Sequence, residues 1–367
     1  MRVAILHDYL NQYGGAERVL EVFLELFPEA DLYTLLYDER RTGGRFKGRV
    51  TKTSFLDFKF VRKHHRLFLP FMPLASEKLK GNGEYDLIIS SSAGYAKGFG
   101  VRGKYHICYC HSPLRYAWEW NYMKEMPFAP WPLKESLIRP ILNRLRKWDK
   151  KAAQNVNVFL ANSNYIKDKI RVYYGRDAEV VYPPTNASVF KYQKQEKSGG
   201  FLLMVGRLLY YKRFDLGIRA ATLLRKKLVV VGRGPEYKKL KALADLRFVS
   251  FMEAPTDQDL AKLYNQAEFL IFPQIEDFGL VAAEAQMCGL PIIAYDEGGS
   301  QDIVKSGKTG VFFKVQNSEA VAKAIRAAEK ISWHREKIAE TGGRFGKSAF
   351  VCRFLEVLES LGFSLDF

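Results

Sequence analysis

The sequence predicts an α/β protein of two doubly wound domains, each a parallel sheet covered by helices, and three observations predict it. Short apolar, strand-like runs alternate with helix-length amphipathic stretches, the pattern of parallel sheets. The alternation is interrupted once, by the polar text PPTNASVFKYQKQEKSGG between Pro183 and Gly200, and then restarts. At 367 residues the chain also exceeds the size at which a single core usually divides.

The first strand runs from Arg2 to Leu6 and leads to Tyr13-Gly14-Gly15-Ala16-Glu17-Arg18, which opens a helix. Backbone bare of side chains beside a helix N-terminus lets amide groups approach an anion. The loop matches neither the dinucleotide fingerprint nor the P-loop, which argues against an oxidoreductase or an NTPase. Strands are expected at Leu87 to Ser90, Tyr105 to Tyr109, Val158 to Ala161 and Val180 to Val181. Beyond the polar segment they are expected at Phe201 to Val205, Leu228 to Val231, Phe248 to Phe251, Phe269 to Phe272, Pro291 to Ala294 and Gly310 to Phe313. Helical text such as PEYKKLKALADL and TDQDLAKLYNQA separates them, and Ser348 to Leu361 reads as a closing amphipathic helix. The expected domains are 1–185 and 186–345, followed by 346–367 as a helix returning to the N-terminal domain.

Composition narrows the class. A chain with 47% hydrophobic and 26% charged residues is ordinary for a globular protein, and no apolar run reaches the roughly 18 to 20 residues of a membrane span. Met1-Arg2 leads straight into Val3-Ala4-Ile5-Leu6, too short for a signal-peptide core, so a cytoplasmic location is expected. The four cysteines, Cys108, Cys110, Cys288 and Cys352, lack the paired spacing of a zinc site or a disulfide framework. Reduced, packed thiols and no structural metal are the expectation.

The formal charge of +17 is less ordinary, and residues 41–80 alone carry 11 basic and 2 acidic side chains. They interleave with aromatics in FLDFKFVRKHHRLFLPFMPL, a combination that suits nucleic acid or an anionic membrane surface. A solvated basic face explains the charge equally well. No helix-turn-helix, finger or RNA-binding signature accompanies the stretch. Lys59, Arg62, Lys63 and Arg66 are therefore expected in an acceptor or membrane patch on the inner face of the cell membrane, with no nucleic-acid partner.

Three loops of the second half carry chemistry. Gly206-Arg207 followed by Lys212-Arg213 sets three cations after the strand FLLMV, enough to neutralise a diphosphate at the sheet's carboxyl edge. Val231-Gly232-Arg233-Gly234-Pro235 repeats the strand, glycine, helix order, with Pro235 suited to a first helical turn. EDFGLVAAEA places Glu276 in a turn and Glu284 two helical turns on. Two carboxylates on one ligand-facing edge can grip a polyhydroxylated molecule at separate places. First-turn dipole complementarity would explain Glu276 alone, but the alanines around Glu284 mark a packed helix face.

Together these residues resemble the retaining GT-B glycosyltransferases, specifically glycosyltransferase family 4, over nearly the whole chain. The signature is Glu276-x7-Glu284 preceded by Gly206-Arg207 with Lys212 and by Gly232-x-Gly234-Pro235. His111-Ser112-Pro113-Leu114-Arg115-Tyr116-Ala117-Trp118 and Tyr182-Pro183-Pro184 look like the mannosyltransferase-like subgroup that builds surface polysaccharides. The resemblance implies two Rossmann-like domains facing across a cleft, with a nucleotide-sugar donor mainly on the second and a glycan or lipid-linked acceptor mainly on the first. It implies that Arg207 and Lys212 bind the donor diphosphate, that Glu276 contacts the transferred sugar and that Glu284 contacts the ribose. The turn through Phe278 and the amides of Gly279, Leu280 and Val281 would serve sugar and pyrophosphate, Gly15 would approach the phosphate, and His111 would lie near the reacting face of the sugar.

No cofactor and no obligatory metal are expected, because the nucleotide sugar is itself the substrate and cations on the phosphate act where charge develops. Asp257-Gln-Asp259 spells a metal-binding motif of another glycosyltransferase fold, but it opens a helix and is expected to cap it. Met252-Glu253 stands where relatives often carry glycine near the nucleotide base. The best-fitting donor is GDP-mannose. A sugar-nucleotide epimerase sharing the donor contacts is the nearer alternative, and a nucleic-acid-binding protein the more distant one.

Overall fold

The computed structural model describes residues 1–119, 133–194, 199–253 and 255–363; residues 195–198 of the polar segment and the last four of the closing segment lie outside the described residues. Contacts divide the chain into two units, Met1–Val181 and Tyr182–Phe367.

The first unit holds seven strands: β1 (Val3–Leu10), β2 (Asp31–Tyr37), β3 (Val50–Thr53), β4 (Glu84–Ser92), β5 (Arg102–Cys110), β6 (Val158–Ala161) and β7 (Glu179–Val180). They form one parallel sheet in the order β3-β2-β1-β4-β5-β6-β7. Two of them, β2 and β3, were not expected. DLYTLLY is buried on both faces and so lacks the alternation of a half-buried strand, whereas VTKT is a wet edge strand with no fully buried residue.

The second unit holds β8 (Phe201–Val205), β9 (Lys227–Val231), β10 (Val249–Met252), β11 (Phe269–Phe272), β12 (Ile292–Tyr295) and β13 (Gly310–Phe313). Their order is β10-β9-β8-β11-β12-β13, again parallel, so the expected doubly wound architecture is present twice. In each unit the strand order reverses beside its first strand, between β1 and β4 and between β8 and β11. Loops at the carboxyl ends of those pairs are where such sheets bind ligands.

The polar segment is not a free tether. Thr185 donates through its backbone N–H and its hydroxyl to the carbonyl of Phe345, at 2.8 and 2.7 Å. Phe190 is buried against Tyr264, with ring centroids 5.9 Å apart. Three cysteines are buried as expected, but Cys352 is exposed on helix Lys347–Ser360. Burial pushes the thiols of Cys108 and Cys288 up to about 12. Among the described residues no helix is long and apolar enough to cross a membrane.

Candidate active site

In the second unit the loops after β8 and β9 lie backbone against backbone, and glycine makes this feasible. Gly206 and Gly232 take φ of 149° and 146°, and a Cβ on Gly232 would fall onto the carbonyl oxygen of Gly206. A Cβ on Gly234 would likewise meet the carbonyl of Leu208. Leu208 donates its N–H to the carbonyl of Arg233 at 2.8 Å, and Glu236 donates to the carbonyl of Leu208 at 3.1 Å. Arg207, between the glycine and this seam, is exposed. Lys212 ends a short 3-10 turn, Tyr210–Lys212, and its ammonium pairs with Glu276 in the loop after β11. The structure thus brings Lys212 and Glu276 together across the β8/β11 switch point.

The Glu276 loop is shaped by a second pair of glycines that sequence reasoning missed. Gly299 donates to the carbonyl of Glu276 at 2.8 Å, and a Cβ on Gly298 would stand 2.7 Å from that same oxygen. Gly279, at φ 103°, starts helix Leu280–Met287. The first intrahelical bonds accepted there are from Ala282 and Ala283 to Gly279, so the amides of Leu280 and Val281 precede them and belong to the free first turn. The Phe278 side chain is buried, stacked on Tyr182 and edge-on to Phe345, and so braces the turn. Glu284 is only 4% exposed and accepts a long hydrogen bond from the Tyr264 hydroxyl at 3.4 Å, a partner the sequence did not announce.

Asp257 and Asp259 sit in the first turn of helix Asp257–Gln266, capped by Thr256, whose hydroxyl donates to Asp259 at 2.7 Å. That hydroxyl, and after it Lys262, keep the Asp259 carboxyl below its usual range. At the end of β10, Glu253 pairs with Arg233 at 3.2 Å, both well exposed.

In the first unit Gly14 caps helix Gly15–Leu26 without a side-chain bond, and Glu17 lies buried in its first turn. His111 follows β5 and is held by its backbone: its N–H donates to Ser92 at 2.8 Å, and its carbonyl accepts from Asn162 at 2.9 Å. Its Nε2 lies 2.8 Å from Ser91 Oγ. Burial pushes His111 down to about 3, so the ring is neutral at pH 7. Asp8 accepts from the amides of Ala93, Tyr95 and Ala96 at 2.6, 2.9 and 2.5 Å and so fixes the turn after β4. Burial outweighs these bonds and raises its carboxyl. Behind it Lys97 and Asp149 form an ion pair at 2.6 Å with no exposed side-chain surface on either residue.

The basic stretch folds into helices Lys59–His64 and Met72–Lys78 joined by a 3-10 turn. Phe55, Phe58, Phe60, Phe71 and Leu74 are exposed by 45 to 57%, and Lys59, Lys63 and Arg66 are exposed among them. Arg62 is a correction. It is half-buried and grips Asp57 with Nε and Nη2 at 2.6 and 3.0 Å, so its charge is already paired at the helix start.

Comparison with known proteins agrees with this fold. Residues 13–189 match the family model described as Glycosyltransferase Family 4, and residues 186–345 the model described as Glycosyl transferases group 1. Among solved structures, Anabaena HepE in complex with UDP superposes with a TM-score of 0.72 at 17% identity, covering 98% of this chain and 100% of that one. The apo lipopolysaccharide outer core galactosyltransferase WaaB gives 0.69 at 18% identity, with 98% and 100% covered. The fold is therefore that of the GT-B glycosyltransferases. The two family models match successive parts of the chain, residues 13–189 and residues 186–345.

Curated relatives match over shorter spans. An uncharacterised glycosyltransferase of Methanocaldococcus jannaschii is 26% identical over 206 residues, 55% of this chain and 58% of that protein. A D-inositol 3-phosphate glycosyltransferase of Mycobacteroides abscessus is 34% identical over 168 residues, 42% of this chain and 37% of that protein. The chain thus spans 58% and 37% of these relatives' lengths.

Proposed function

We propose that the protein is a retaining, metal-independent glycosyltransferase that moves a sugar from a nucleotide sugar to a glycan or lipid-linked acceptor in surface polysaccharide synthesis. The observation that carries the reading is the Lys212–Glu276 pair at the β8/β11 switch point, beside the exposed Arg207. Departure of the nucleotide builds positive charge on the anomeric carbon and negative charge on the diphosphate. Arg207 and Lys212 take up the second charge, which leaves no task that requires a metal ion. Glu276, released from Lys212, binds the sugar; Glu284 reaches the ribose; the amides of Gly279, Leu280 and Val281 serve the sugar and the pyrophosphate. Gly15 approaches the phosphate and His111 the reacting face of the sugar. The acceptor hydroxyl attacks from the face the diphosphate leaves, and a phosphate oxygen of the donor takes its proton, so no enzymic nucleophile forms.

Within this reading the donor is GDP-mannose, from the His111 to Trp118 motif. The UDP and UDP-glucose complexes of HepE favour UDP-glucose as the second donor to test. The exposed phenylalanines among Lys59, Lys63 and Arg66 support peripheral association with an anionic membrane, where a lipid-linked acceptor would lie. Helix Lys347–Ser360 returning to the N-terminal half completes the proposal.

The test is a thermal-shift panel of GDP, UDP, ADP and their sugar conjugates on the wild type and on Arg207→Ala and Glu284→Ala. A ligand that binds only the folded state raises the midpoint. One nucleotide should do so, and both substitutions should erase the shift. Stabilisation by none of them sinks the reading, and donor breakdown without any acceptor would mark an epimerase instead.

A further inference from the structure

The register of β1 and β4 sets His7 opposite Ser91. Ser91 Oγ lies 3.1 Å from His7 Nδ1 and 2.8 Å from His111 Nε2, and both His7 and Ser91 are buried. The other nitrogen of His7, Nε2, faces Oε1 of the buried Glu17 at 3.6 Å. Four side chains from the middle of β1, the helix after Gly14, the end of β4 and the loop after β5 are thus in line.

A serine hydroxyl has one proton, so between two rings it donates to one and accepts from the other. Which way the line runs is decided at Glu17. A carboxylate beside His7 Nε2 favours a proton on that nitrogen, as outer-shell carboxylates fix the tautomer of ligating histidines. His7 Nδ1 is then a lone pair and accepts from Ser91, whose oxygen in turn accepts from a proton on His111 Nε2. The other nitrogen of His111, Nδ1, has no hydrogen-bond partner among the described residues.

We propose that Glu17, His7 and Ser91 are positioning residues that hold the His111 proton on Nε2, so that Nδ1 is presented to the bound sugar as an acceptor for one of its hydroxyls. This rests on the glycosyltransferase reading of His111 and adds a specificity. The sugar must carry a donating hydroxyl at that position, and a deoxy or O-methylated sugar there forfeits the bond.

The experiment is long-range 1H–15N correlation of the full chain labelled with 15N-histidine, at pH 8. The His111 resonances are identified by their loss in His111→Gln. The expected result is the Nε2–H tautomer for His111 in the wild type. In Ser91→Ala, a small change in a buried site, the preference should collapse to a mixture. Glu17→Gln should also shift it towards Nδ1–H, because an amide can donate to His7 and reverse the line. With the donor, Ser91→Ala should lower kcat about tenfold and leave KM nearly unchanged, the scale of one hydrogen bond. A wild-type proton on Nδ1, or a tautomer indifferent to Ser91→Ala, overturns the proposal. The expected tautomer without any response of His111 Nδ1 to a donor that does raise the melting midpoint overturns its sugar-facing role. If no nucleotide raises the midpoint at all, it is the transferase reading that fails.

Discussion

The ammonium of Lys212 is seated on the carboxylate of Glu276, so a cation after β8 and an acid after β11 neutralise each other. Both side chains are mostly buried, 13% and 22% exposed, so removing one partner strands the other charge. Lys212→Met combined with Glu276→Gln, which removes both charges, should therefore shift the melting midpoint by only a few degrees yet lower kcat by about 10² or more, the scale of a lost charge stabiliser. Steady-state kinetics beside calorimetry checks both halves. A variant that melts early with kcat intact would mean that the pair is structural.

Gly232→Ala should disable the site from a distance. The new Cβ collides with the Gly206 carbonyl, and the position adopts φ 146°, which a side chain rarely tolerates. Strain of this sort costs about 1–3 kcal/mol before the collision is counted. Urea unfolding should show a loss of at least that size, together with loss of any nucleotide-induced shift. A normally stable variant that binds nucleotide would show that the seam is adaptable.

Acid should weaken the first unit before it reaches the carboxylates. His106 is buried with Nε2 2.8 Å from Ser90 Oγ, and burial, then the Lys97 charge, push it down to about 4 from 6.5. A histidine whose folded value lies below its unfolded value contributes stability that is present above 6.5 and lost as pH falls towards about 4. The loss should total on the order of 3 kcal/mol for this residue alone. Denaturation at pH 7 and pH 4.5 should show a smaller difference in His106→Gln than in the wild type; an equal difference would assign the acid sensitivity elsewhere.

The basic stretch separates into binding and folding residues. Lys59→Glu with Lys63→Glu, or Phe60→Asp, should abolish sedimentation with vesicles rich in anionic lipid and leave the melting midpoint in place. Arg62→Ala should do the reverse, because it deserts Asp57, which also accepts the N–H of Tyr37 at 3.1 Å. Vesicle binding unchanged by the charge reversals would retire the membrane surface.

Much of this was legible in the text of the chain, for local reasons. Strands β8, β11 and β13 coincide with apolar runs bounded by turn residues, and Glu276 announces itself between a strand end and Gly279. What escaped depends on distance along the chain. Ser91 and His7 are 84 residues apart, and only the register of two strands joins them. The Gly298–Gly299 brace meets Glu276 across another crossover. Arg62 was misread because a basic run shows its charge but not that Asp57, five residues earlier, already holds one member.

The seam between Gly206 and Gly232 has one more consequence. With no side chain between the two backbones, and with the bonds of Leu208 to Arg233 and of Glu236 to Leu208 crossing it, neither loop can slide alone. Any travel of Arg207 towards a ligand must carry the Gly232 to Pro235 turn along. The amide protons of Leu208 and Glu236 should then exchange with solvent through a single shared opening, making the two loops one cooperative plate that a ligand protects entirely or not at all.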